Sequence, residues 1–151
     1  MVTVPFIPSH GSDPRRQLFT FLEQLLAIPL RNDADLADLA RDGLPVDVID
    51  RLEAKGLKPD ELAFTISRRT LIHRRRKGER LSIEDSDRVI RLARIMAQAC
   101  TVFGNVEKAM GWLRNAQMRF ASRTALEMTT TEHGARLVEE ALVQIDEGHF
   151  A

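Results

Sequence analysis

Seven cations, Arg68, Arg69, Arg74, Arg75, Arg76, Lys77 and Arg80, fall within thirteen residues of this chain and meet a single acid, Glu79. The crowding is set in a sequence of 151 residues whose 22 basic and 22 acidic side chains leave no formal net charge. A neutral chain has no overall attraction for nucleic acid or membrane, so any such attraction must come from uneven placement of its charges. The placement is uneven, because the stretch from Asp33 to Glu61 carries Asp33, Asp35, Asp38, Asp42, Asp47, Asp50, Glu53, Asp60 and Glu61. One face of the folded chain is expected to be basic and another acidic.

The basic run has the punctuation of a short helix. Ser67 is suited to accept a hydrogen bond from the first turn, an N-cap worth about 1 kcal/mol against alanine, and Gly78 follows the last cation. Pro59 opens a preceding short helix through Asp60, Glu61, Leu62, Ala63 and Phe64, and Thr65-Ile66 makes the turn between the two. Helix, turn, cap and basic helix together read as a helix-turn-helix with Ser67 to Lys77 as the recognition helix. At 100° per residue Phe64 and Leu71 share one side and mark the expected buried face. Arg69, Thr70, His73, Arg76 and Lys77 are then expected to project outward, where arginine pairs with guanine O6 and N7 in the major groove. Ser67, Arg68, Arg74 and Arg75 lie at the flanks, placed to touch phosphates or to lay their stems over the core. The competing reading of the same run is a solvated basic face on a surface helix.

The remaining chain predicts an all-α fold. Met1 to Ser12 holds Pro5, Pro8 and Gly11 without apolar periodicity and reads as a flexible arm. Asp13 and Pro14 then open a helix with the stripe Leu18, Phe21, Leu22 and Leu25, which Pro29 stops. An acidic helix around Asp35 to Arg41 ends near Gly43, and Pro45 opens another with Val48, Ile49 and Leu52 inward and Gly56 as its stop. Ser82 caps the longest helix, with Asp85 at the reciprocal position and Val89, Leu92, Ala93, Met96, Cys100 and Phe103 along its stripe. Asn105 caps an amphipathic helix bearing Val106, Ala109, Met110, Leu113 and the only tryptophan, Trp112. Asn115 to Thr130 is irregular, and a final helix begins near Thr131 with Ala135, Val138, Ala141, Leu142 and Ile145 inward. Gly148 ends it, leaving His149, Phe150 and Ala151 as a tail. No run has the alternating pattern of strands.

Enzyme chemistry finds little support. Cys100, the only cysteine, lies in an apolar stripe and reads as a buried structural thiol. His10, His73, His133 and His149 lack the spacing of a metal site or catalytic dyad, and there is no glycine-rich phosphate loop, so no cofactor is expected. With neither a secretory leader nor a membrane-spanning run, the expected location is the cytoplasm.

Several segments in order carry a family resemblance: Ser67 to Gly78, Leu81-Ser82 with Ser86-Asp87-Arg88, Val102-Phe103-Gly104, Glu107-Lys108-Ala109, Trp112-Leu113, Thr131 with Gly134, Val138, Ile145 and Gly148. Together they resemble the Xre/MbcA/ParS antitoxins, partners of RES-domain toxins, over roughly Gly43 to Ala151. The chain departs from that pattern in the connector. Where the family has a Pro-Asn step, paired glycines and Thr-Pro-Leu, it has Ala116-Gln117, Ala121-Ser122 and Thr124-Ala125-Leu126.

The resemblance implies a bacterial type II antitoxin in three parts: an arm and N-terminal helices over 1–42, an Xre-type helix-turn-helix DNA-binding domain over 43–100, and a small helical toxin-binding domain over 101–151. It implies operator DNA and a RES-domain toxin, an NAD-consuming enzyme, as partners, and a homodimer for which the helix from Ser82 to Phe103 is the expected surface. Inhibition is expected through the tail Gly148, His149, Phe150 and Ala151, the terminal carboxylate meeting cationic groups of the toxin's NAD cleft and Phe150 filling an apolar subsite. The competing mode is occlusion by Trp112, Met118 and Phe120. The alternative function is a stand-alone helix-turn-helix repressor with no toxin partner.

Overall fold

The computed structural model describes residues 14–148. The arm from Met1 to Ser12, the Asp13 cap and the tail residues His149, Phe150 and Ala151 lie outside the described residues. In order come α1 (Pro14–Leu26), α2 (Asp33–Asp42), α3 (Asp47–Ala54), α4 (Pro59–Leu62), α5 (Arg68–Lys77), α6 (Ile83–Phe103) and α7 (Val106–Arg114). Two short strands, β1 (Ala116–Gln117) and β2 (Arg123–Thr124), follow around a 3-10 turn at Met118–Phe120, and α8 (Ala125–Met128) and α9 (Glu132–Asp146) complete the fold.

Polar side chains start these helices where the sequence places them. Asn32, Ser67, Ser82, Asn105 and Thr131 each accept a backbone N–H three residues ahead, satisfying donors that a helix start leaves unpaired. Helix α6 is the axis of the molecule. Ser86, Val89, Ile90, Leu92, Ala93, Ile95, Met96, Ala97, Ala99 and Cys100 are buried along it, because α1, α2, α7 and α9 pack around its length. This corrects the expectation that the Ser82–Phe103 helix offers a dimer surface along its length: its apolar residues from Val89 to Cys100 are already covered by the chain's own helices, and only Ile83 at its start is largely exposed, at 59%. Burial pushes the Cys100 thiol up, with nearby Lys55 pulling the other way, so the sulfur is a protonated core group.

The connector from Asn115 to Thr130, expected to be irregular, holds two paired strands that the sequence did not announce. Ala116 pairs with Thr124 and Gln117 with Arg123 in a minimal antiparallel hairpin. The residues that stand where the resemblance implies paired glycines, Ala121 and Ser122, both adopt left-handed backbone, with φ of 53° and 66°. Non-glycine residues in that region cost roughly 1–2 kcal/mol each. The turn is held by the Ala121 N–H donating to the Met118 carbonyl and the Ser122 N–H donating to the Gln117 carbonyl, at 3.0 and 2.9 Å.

A buried polar joint places the helix-turn-helix against the axis. The Leu44 N–H donates to Ser86 Oγ at 2.9 Å, Ser86 Oγ donates to the Leu81 carbonyl at 3.4 Å, and the Leu81 N–H donates to the Leu44 carbonyl at 2.9 Å. Arg80 adds a 3.0 Å hydrogen bond to the Gly43 carbonyl. A side chain at Gly43 would put Cβ 2.5 Å from the Leu81 carbonyl oxygen, so only glycine allows the two loops to approach this closely. The loops flanking α2–α3 and α5–α6 are thereby joined, which fixes where α5 leaves the core.

Candidate functional site

Helix α5 has no buried residue, so it is carried on the surface by a few contacts. Half-buried Leu71 is its apolar anchor on the core. Beside it Arg75 reaches across to α3, its Nη2 meeting Asp50 Oδ1 at 2.6 Å. Arg74 turns back toward the following loop, donating to Glu79 Oε2 at 3.3 Å and to the Arg80 carbonyl at 3.0 Å. The cluster of Arg74, Arg75, Arg76 and Lys77 in the last turn also faces the negative end of the helix dipole.

Two orientations differ from the sequence expectation. Thr70 points back rather than outward: it is half-buried, and its Oγ1 shares a 2.7 Å hydrogen bond with the capping Ser67 Oγ. Phe64, expected on the buried face beside Leu71, is 53% exposed. The turn at Thr65-Ile66 separates it from α5, so helical phase does not carry across, and Thr65 and Ile66 are the buried residues instead. Arg74, expected at the flank to touch a phosphate or to lay its stem over the core, is half-buried and held by Glu79 and the Arg80 carbonyl.

Arg68, Arg69, His73, Arg76 and Lys77 are exposed and have no ion-pair or hydrogen-bonded side-chain partner among the described residues. At 100° per residue Arg69, His73 and Arg76 fall within about 60° of one another, opposite the Leu71 and Arg75 side. Ile72, which the sequence reading passed over, borders this stripe and is 45% exposed. Its signal was available: it lies three residues after Arg69 and four before Arg76, the spacing of one helix face.

At the other end of the molecule, Trp112 is half-buried between Phe103 and Phe120, with ring centroids at 5.8 and 6.1 Å and the second pair edge-on. Phe120, expected as a partner contact, is only 3% exposed and serves as the floor under Trp112. Met118, by contrast, is 87% exposed at the hairpin turn. Gly148 is exposed at the end of α9 with φ of 82°, where the described chain stops.

The two ends are joined by Arg114, the last residue of α7, which pairs with Glu61 on α4 and also donates to the Gly56 carbonyl. Burial raises the Glu61 carboxyl, but the Arg114 and Lys58 N–H hydrogen bonds and the charges of those two residues outweigh it, holding the group below its ordinary range. No sequence signal announced this pair.

Comparison with known proteins places both ends. Residues 35–94 match the family model described as the antitoxin Xre-like helix-turn-helix domain, and residues 98–148 match the antitoxin Xre/MbcA/ParS C-terminal toxin-binding domain. The two ranges meet inside α6. The chain is 38% identical over 130 residues to an antitoxin Xre of Pseudomonas putida, a match covering 85% of this chain and 82% of that protein. It is 30% identical over 130 residues to an antitoxin Xre of Yersinia enterocolitica, covering 83% and 88% respectively. With a helix-turn-helix range, a toxin-binding range and relatives similar along most of their length, this chain belongs to the Xre/MbcA/ParS family of antitoxins.

Proposed function

We propose that this chain is the antitoxin of a type II pair, that it neutralises a RES-domain, NAD-consuming toxin through its C-terminal part, and that it represses its own operon through α4 and α5. The observation that carries the reading is the stripe of cations without partners among the described residues, on an anchored, exposed α5 in the same chain as a toxin-binding domain. Arg69, His73 and Arg76 contact bases, and Arg68 and Lys77 at the flanks neutralise phosphates. Thr70 and Ser67 set the helix start, and Arg74 positions the loop behind it.

The reading includes a homodimer. One helix face reads only a few base pairs at about 1–3 kcal/mol of discrimination each, too little to single out one site in a genome, whereas two half-sites double the information. The contact between copies lies away from the covered face of α6. Light scattering of the purified chain is expected to give twice the monomer mass, and a monomer at micromolar concentration contradicts this part.

On the toxin side, the tail from Gly148 through His149, Phe150 and Ala151 enters the NAD cleft, with Phe150 filling an apolar subsite. Exposed Met118 and the accessible edge of Trp112 form the adjoining contact. The test is growth and cellular NAD when the reading frame beside this gene is expressed alone, with the full chain, and with the chain lacking Gly148 to Ala151. Arrest with NAD loss that only the full chain reverses is the expected result. Rescue by both forms discards the tail and leaves the Met118 surface, and a harmless neighbour contradicts the paired toxin.

A further inference from the structure

Ile72 is out of place on its helix. Every other residue of α5 except Leu71 is polar, and Leu71 alone anchors the helix to the core. Ile72 is 45% exposed: one side lines a groove with Leu62, Ala63, Ile66 and Leu71, and the rest of this large apolar side chain is left in solvent. Its neighbours on the helix surface are Arg68 and Arg69 one turn before and Arg75 and Arg76 one turn after; Arg75 is paired with Asp50, and Arg68, Arg69 and Arg76 have no partner among the described residues.

From Arg69 to Arg76 the helix rises about 10 Å, close to the length of three base pairs. A helix laid in the major groove with this face inward presents guanidinium, apolar group with imidazole, and guanidinium in succession. The groove offers guanidinium a matching guanine edge, but it offers the branched sec-butyl side chain of isoleucine only one apolar partner, the C5-methyl of thymine. Any other base would bring an unpaired amino or carbonyl group against Ile72 and strip it of water without replacement.

We propose that Ile72 is a specificity-determining residue of this chain, reading a thymine methyl between the bases contacted by Arg69 and Arg76. The inference rests on the operator-binding reading above. It predicts an operator half-site in which a thymine stands within one or two base pairs of a guanine on either side.

The test uses a duplex of the chain's own promoter region prepared with dTTP or with dUTP, which differ only by the C5-methyl group. Wild-type chain is expected to bind the uracil duplex about fourfold more weakly for each thymine read, the worth of one buried methyl group. Ile72→Gln, an exposed and helix-compatible change, is expected to bind both duplexes alike while keeping its circular dichroism. Equal wild-type affinity for the two duplexes overturns the proposal, as does the same loss in wild type and Ile72→Gln. A change in self-association with an intact thymine preference assigns Ile72 to a contact between copies and also overturns it. Absence of any wild-type binding to the thymine duplex is a different failure, that of the operator reading itself.

Discussion

Arg114 and Glu61 form a bidentate pair, Nε to Oε2 at 2.7 Å and Nη2 to Oε1 at 2.8 Å, between residues 53 apart in sequence. It joins α4 of the helix-turn-helix range to α7 of the toxin-binding range, at a site where Glu61 keeps little solvent contact. Arg114→Ala leaves that carboxylate with its burial and without its main partner. The expected cost is about 1–2 kcal/mol, read as a lower midpoint in urea unfolding.

The same pair gives a pH dependence of known sign. Glu61 is held below its ordinary pKa in the folded chain, so its contribution is complete above the unfolded value, roughly 4.3, and is lost as pH falls through the folded value. Between about pH 5 and 3 the wild type is expected to lose more stability than Glu61→Gln does. Parallel losses in the two proteins contradict the assignment.

Ser86 is buried in the middle of the joint that seats α5. Ser86→Ala removes the acceptor of the Leu44 N–H and leaves that donor without water or partner, a cost of about 1–3 kcal/mol. Thermal unfolding measures it, and a neutral effect means the joint is not closed as described.

Gly134 stands in the first turn of α9, where an added Cβ would lie 1.9 Å from the Met128 carbonyl oxygen. Alanine here must push α8 and α9 apart, although alanine favours helix. Gly134→Ala is expected to destabilise by about 2 kcal/mol or more, opposite in sign to the usual glycine-to-alanine gain within a helix.

The hairpin turn makes the reverse prediction. Ala121 and Ser122 hold left-handed backbone that glycine adopts without strain. Ala121→Gly and Ser122→Gly are each expected to raise stability by up to about 1 kcal/mol, the steric relief exceeding the added freedom of the unfolded chain. Destabilisation by both contradicts the assigned turn.

The parts of this molecule that follow from local rules were legible in its sequence. Ser67, Ser82, Asn105 and Thr131 announce their helices because an N-cap acts within three residues, and Val89, Leu92, Met96 and Cys100 declare the inner face of α6 by period alone. The helix-turn-helix and the family were legible for the same reason, as ordered short segments. What was missed depends on distance or on broken phase. A turn interrupts the periodicity between Phe64 and Leu71, and Thr70 spends its hydroxyl on Ser67. The strands at Ala116–Gln117 and Arg123–Thr124 are too short to show alternation, and their turn lacks the glycines that would mark it. The side on which α1, α2, α7 and α9 cover α6, and the meeting of Arg114 with Glu61, are tertiary facts with no local signature.

The most direct test of the two-ended account crosses the two functions in one cell. A promoter reporter and growth are followed together while the neighbouring reading frame is induced, with wild-type chain, with Arg69→Ala/Arg76→Ala, or with the chain lacking Gly148 to Ala151. The account predicts that the arginine variant still rescues growth but loses repression, with a weaker salt dependence of operator binding in vitro. It predicts that the truncated chain still represses but no longer rescues. Loss of both functions in either variant, or loss of neither, contradicts it.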